Sequence, residues 1–200
     1  SGVSMISPET CFFSHDTIIK SGCVIEPYVF FGIGVKIQSS TIIKSYSHIE
    51  GTHIGKNCQI GPFARLRPGT NLLREVKVGN FVEVKNATLA SNTKANHLTY
   101  IGDAKVGANT NIGAGTIFCN YDGKNKNRTI VGDNVFIGSN ASLIAPLKIG
   151  DASIVAAGSA INKNVLSESL AIARPIQQNK LGLGKKIMVK LQKVADKIRK

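Results

Sequence analysis

The segment Ile54-Gly-Lys-Asn-Cys-Gln-Ile60-Gly-Pro-Phe-Ala-Arg-Leu66-Arg-Pro-Gly-Thr-Asn-Leu72-Leu-Arg-Glu-Val-Lys-Val78-Gly-Asn-Phe-Val-Glu-Val84 sets an aliphatic residue at every sixth position. A period of six fits neither the 3.6-residue helix nor the two-residue strand alternation. It is the hexapeptide signature of a parallel β-helix, in which a short strand and a turn make one side of a triangular coil. One aliphatic side chain per side points inward and stacks on the coil above. Glycine, Asn and Asp at the corners accept the positive φ that tight turns need.

The same frame extends back through Ile42, Phe30, Val24 and Ile18, with Lys36 and His48 as misses. A second stretch keeps the period through Val131, Ile137, Leu143, Ile149, Val155 and Ile161. At about 18 residues per coil, Ser14 to Lys163 holds roughly eight coils. So long a frame argues against a β-sandwich. The fold class is all-β: a parallel β-helix over 17–165, a leading segment 1–16 and a C-terminal extension 166–200. The frame blurs between Val84 and Ile101. It breaks after Ile117 at the polar run Cys119–Thr129, which reads as a loop (119–129) thrown out from the coil. Past Pro175, Leu183, Ile187, Leu191, Val194 and Ile198 recur at helical spacing with lysines between them, which predicts a short amphipathic basic helix. Packing against its own oligomer is its first expected role, with a membrane or nucleic-acid contact as the alternative.

The 200 residues are 42% hydrophobic, enough for one domain with a sizeable core. No run is long and apolar enough to span a membrane, and no export signal opens the sequence. Cys11, Cys23, Cys58 and Cys119 form no C-x-x-C pair, so they read as reduced thiols of a cytoplasmic protein. Of the net charge of +13, +7 lies from Lys180 onward, where eight basic residues meet one acid. The body's remaining charge suits anionic small molecules as well as a polyanion.

Chemistry concentrates in Lys94-Ala-Asn-His-Leu-Thr-Tyr100, where His97 is a candidate general base, since an imidazole titrates near working pH. Arg67 and Lys85 are one coil length apart and are expected to stack on one side, where a guanidinium fork and an ammonium group suit a phosphate. Glu83 and Lys85 alternate with Val84 and so face outward.

Five blocks carry a resemblance: Gly61-Pro-Phe-Ala-Arg-Leu-Arg-Pro-Gly69, Gly79-Asn-Phe-Val-Glu-Val-Lys-Asn86, Lys94 to Ala104, Asn111-Ile-Gly-Ala-Gly-Thr116 and Cys119-Asn-Tyr-Asp-Gly123. In this order they resemble the C-terminal acetyltransferase domain of the bacterial bifunctional GlmU family. The resemblance implies a left-handed β-helix of the trimeric type, with active sites between subunits. It implies acetyl transfer from acetyl-CoA to the amine of α-D-glucosamine 1-phosphate, in UDP-N-acetylglucosamine synthesis for peptidoglycan and lipopolysaccharide. His97 is then the base. Arg67, Lys85, Tyr100 and Asn111 contact the sugar phosphate, Glu83 and Asn111 orient groups near the base, and Lys126 reaches a neighbouring subunit's substrate. Ala114, Asn120, Tyr121, Ser139, Ala157 and Arg174 hold acetyl-CoA. The family's uridyltransferase domain, with its magnesium, is expected to be absent, so the chain reads as a truncated form or fragment with no metal site of its own. Phe118, Ala173 and the lack of a tail tryptophan depart from the family pattern.

Other readings are a different hexapeptide acyltransferase on a phosphorylated or sugar acceptor, a γ-carbonic-anhydrase-like zinc site using His15, His48 and His53, and a scaffold or polyanion-binding protein. The His15 to His48 gap of 33 residues is not a multiple of 18, which counts against the zinc site. The partners expected are the two substrates and the chain's own copies, and no nucleic acid.

Overall fold

The computed structural model describes residues 2–199. Short strands wind into a solenoid of about nine turns with three flat faces. Each face is a parallel sheet, with ten, nine and eight strands on the first, second and third faces. Each strand pairs in register with the strand one coil away, as Gln59–Ile60 does with Lys77–Val78 and Arg65–Leu66 with Glu83–Val84. Residues before 17 already belong to the stack: Ser4–Met5 pairs with Val24–Ile25, and Phe12–Phe13 with Phe30–Phe31. Beyond 165, Leu170–Ala171 adds a last strand on Ile154–Val155.

The inward column follows the expected frame from Ile54 to Val84, and those residues are buried. Before residue 50 the frame is off by one. Ile25, Phe31, Ile37, Ile43 and Ile49 are buried, whereas Ile18, Val24, Phe30 and Ile42 sit on the outer surface. Lys36 and His48, the apparent misses, are simply outward neighbours of Ile37 and Ile49. The cause is one five-residue step, Ile49 to Ile54, which shifts the phase; both members of pairs such as Ile42-Ile43 are aliphatic, so the sequence did not expose it. The step recurs from Val84 to Leu89 and from Ile101 to Val106, and it accounts for the blurred frame there.

All three shortened steps fall at the corner between the second and third faces, here the second corner. The polar loop does too. The column continues through Ile112 and Phe118, so Phe118 is an interior residue, and it resumes at Val131 after the loop. Irregularity is thereby confined to one edge of the prism.

Several hydroxyls inside the coils are satisfied by the backbone of the next coil, whereas buried Thr129 Oγ1 has no partner. Thr70 Oγ1 donates to Val84 O at 3.0 Å, and Thr93 Oγ1 to Gly107 O at 2.9 Å. Such pairing removes the penalty of burying a hydroxyl. All four cysteines are free, as expected from their spacing. Burial pushes the Cys58 thiol up to about 11, and burial also raises that of Cys119, which disfavours the reactive thiolate at both. No helix among the described residues is long and apolar enough to cross a membrane. The expected helix forms as α1 (Leu183–Ile198).

Candidate active site

His97 ends the first-face strand Lys94–His97, and Leu98 then turns the chain with φ 52° onto the second face. This is the first corner. One coil below, Asn80 pairs with His97 in register, and Asn80 Oδ1 lies 2.8 Å from His97 Nδ1. An amide oxygen can only accept, so Nδ1 carries the proton and Nε2 is left as the basic nitrogen. Gly79 makes the approach possible: a Cβ there would collide with Asn96 O. Lys44, Gln59, Lys77, Asn80, Asn96 and His97 line a shallow pocket of about 240 Å³.

Below His97 the first corner is filled by rings. Tyr28, Tyr46, Phe63 and Phe81 stack coil on coil, with centroids 5.1, 4.9 and 5.3 Å apart, all at φ between 53° and 61°. Leu98 is the last bulky rung. Above it the same corner position holds Gly115, Asn140 and Gly158. Residues just before these rungs are Ala114, Ser139 and Ala157, three of the expected acetyl-CoA contacts. They climb the corner one per coil: Gly115 N–H donates to His97 O, Asn140 N–H to Ala114 O and Gly158 N–H to Ser139 O. Arg174 reaches the same column, its Nη1 donating to Ala157 O at 2.9 Å. An open track of small residues thus runs along the axis from His97 to an arginine.

The remaining expected residues lie elsewhere. Arg67 and Lys85 do stack at the second corner, across the second face from His97. Arg67 Nη1 donates to Glu83 Oε1 at 2.8 Å, and that hydrogen bond raises the arginine's pKa above its usual value. Arg65 also faces Glu83, at 3.7 Å. Glu83 is therefore engaged by arginines within this chain, and Asn80 is the residue that the same chain sets beside the imidazole. Asn111 begins a first-face strand and pairs with Lys94, away from Arg67 and Lys85 on the second face.

Asn120 is buried and donates to Tyr100 Oη at 3.4 Å and to Asp103 Oδ2. Asn86 Nδ2 also donates to Asp103, at 2.6 Å. Burial pushes the Asp103 carboxyl up, but these two donors and the charges of Lys85 and Lys126 outweigh it and hold it below the usual carboxylate range. Lys126 stands beside Lys85 and, by hydrogen bonding and repulsion, pushes its pKa down. The loop lysine expected to serve a neighbouring subunit thus joins the cation cluster of its own chain. Asp122 fixes the loop, its carboxylate held at about 2 by the N–H groups of Asn125 and Lys124 and by the Asn127 amide. Exposed Tyr121 donates to Gly123 O at 2.6 Å.

Asn80, Asn86 and Asp103 were missed from sequence. Asn80 is 17 residues before His97, the coil length set by one shortened step, and that spacing was the available signal.

His48 lies on the second face, stacked on Phe30, and His53 on the third. Among the described residues no group of three His, Cys, Asp or Glu side chains is placed to hold a metal.

Residues 128–163 match the hexapeptide repeat of succinyl-transferase. The bifunctional protein GlmU of Bartonella quintana is 53% identical over 191 residues, and that of Wolbachia pipientis is 56% identical over 180. This chain is a relative of GlmU over nearly its whole length. The aligned region is 96% of this chain and 43% of the Bartonella GlmU, so the chain spans less than half the length of the GlmU proteins it matches. Among solved structures, an Arabidopsis UDP-N-acetylglucosamine acyltransferase superposes with a TM-score of 0.66 at 15% identity, covering 88% of this chain and 74% of that one. LpxA from Acinetobacter baumannii gives 0.53 at 20% identity, covering 88% and 72%. These likenesses concern the fold, which is the left-handed parallel β-helix of the LpxA type. The left hand is an exception to the usual right-handed crossover of parallel strands.

Proposed function

We propose that the chain transfers the acetyl group of acetyl-CoA to the amine of α-D-glucosamine 1-phosphate, in a site shared by two copies of the chain in a trimer. The observation that carries this reading is the first corner: a tautomer-fixed imidazole at the foot of a small-residue track that ends at Arg174. A pantetheine arm is a long, thin ligand and fits such a track, with the Arg174 guanidinium as partner for a terminal phosphate. The sequence relation to GlmU supports the substrate class.

In this reading His97 Nε2 accepts a proton from the attacking amine as the C–N bond forms. The Ala114 N–H donates to the developing oxyanion. The C–S bond then breaks, and the proton held on Nε2 goes to the departing CoA thiolate. Arg67, Lys85 and Lys126 hold the sugar phosphate. Their position across the second face from His97 supports a site closed by two chains, the first corner of one meeting the second corner of the next. Tyr100 joins these cations at the sugar phosphate, and Asn120 and Tyr121, at that second corner, then face the donor held by the neighbour. The chemistry needs no metal.

Purified chain supplied with acetyl-CoA and glucosamine 1-phosphate should release free thiol. A folded assembly that releases none with both substrates present would overturn the reading.

A further inference from the structure

The helix α1 buries no residue. Leu183, Ile187, Met188, Leu191, Val194 and Ile198 cover an arc of about 140° at 100° per residue. Each of them is at least 41% exposed. Lys186, Lys190, Lys193 and Lys197 fill the adjoining arc of about 60°. The single acid of the helix, Asp196, is on the far side and accepts from Gln192 Nε2. No lysine of α1 is in a salt bridge among the described residues. Among the described residues, a continuous apolar stripe edged by four uncompensated positive charges is thus left without a partner.

We propose that α1 docks flat on an anionic phospholipid surface. Acyl chains would take the apolar stripe and headgroup phosphates the lysines, so one partner satisfies both halves of the helix. The helix of 16 residues is about 24 Å long, so it lies on such a surface and does not cross it. A second copy of α1 fits less well. The seam Ile187, Leu191, Val194 and Ile198 amounts to two heptads, shorter than a stable coiled coil, and Lys190 and Lys197 flanking it would meet lysines. A nucleic acid would pair the charges but leave the stripe in water. The inference is independent of the reaction proposed for the solenoid.

The test is co-sedimentation of the full chain with vesicles of phosphatidylcholine alone and of phosphatidylcholine with about one-third phosphatidylglycerol. The anionic vesicles should retain the chain and the neutral ones should not. Ile187→Asp/Leu191→Asp and Lys186→Glu/Lys190→Glu should each weaken retention about tenfold or more. Both pairs sit on a helix that buries no residue, so the melting temperature should stay the same. Failure of the anionic vesicles to retain the wild-type chain would overturn the proposal. So would retention that the Ile187→Asp/Leu191→Asp variant keeps in full, which would mark a charge-only contact such as nucleic acid. Self-association without vesicles that this variant abolishes would assign the stripe to a second copy and overturn it equally.

Discussion

His97 Nδ1 and Asn80 Oδ1 face each other at 2.8 Å across one coil of the solenoid, paired residue for residue by the sheet. The register that builds the first face therefore also sets the tautomer of the proposed base. His97→Ala should lower kcat by about 10² or more. Asn80→Ala should lower kcat by about tenfold with little change in KM, because the ring loses its orientation and not its substrate contacts. Asn80→Asp should move the acidic limb of the pH–rate profile upward, since a carboxylate favours the protonated ring. A structural role alone would leave the profile where it was, and that comparison separates the two.

The aromatic ladder makes a prediction about the donor track. Asn140 has φ 56°, the conformation at which Phe63 and Phe81 sit. Asn140→Phe should therefore be accepted at that corner without backbone strain and obstruct the track, two rungs beyond Leu98. The KM for acetyl-CoA is expected to rise about tenfold, equivalent to ~1.4 kcal/mol, with the melting temperature nearly unchanged. An unaltered KM would show that the donor does not run along this corner.

The ladder also stabilises the coils it joins. Phe63 contacts rings on both sides, Tyr46 and Phe81. Phe63→Ala should cost about 1–3 kcal/mol in chemical denaturation, since each aromatic pair contributes about 0.5–1.5 kcal/mol beyond its buried area.

Asp103 ties acid stability to the second corner. Its folded pKa lies below the ordinary 3.8, so its contribution is complete above 3.8 and is lost as pH falls through the folded value. Asp103→Asn sets an amide against the donors of Asn86 and Asn120. It should cost about 1–3 kcal/mol near pH 7. The gap between variant and wild type should narrow below pH 3.8. Thermal melts between pH 7 and pH 3 would show it.

Much of this was legible because a hexapeptide column needs one aliphatic residue per side. Ile54, Ile60, Leu66 and Leu72 announce the coil on their own. Phase was not legible where adjacent residues were equally apolar: either of Ile42 and Ile43 would serve, and only the five-residue step after Ile49 decides between them. The stacking of Arg67 on Lys85 followed from their spacing. Asn80 escaped because its role depends on a 17-residue coil, and the pairing of Glu83 with Arg67 and Arg65 was not legible either, since it needs the register of two coils. Nor does spacing say that His97 and Arg67 lie at opposite corners, because corner membership rests on where the shortened steps fall.

That separation of corners is the central claim, and mixing variants tests it. His97→Ala damages only the first corner and Lys85→Ala only the second. Each variant alone should have little activity. Co-refolded in equal amounts, they should regain about one quarter of wild-type activity, because about one in four interfaces of a randomly mixed trimer joins two intact corners. Recovery to that level is the predicted result. A mixture no more active than its separate components would contradict a site shared between chains.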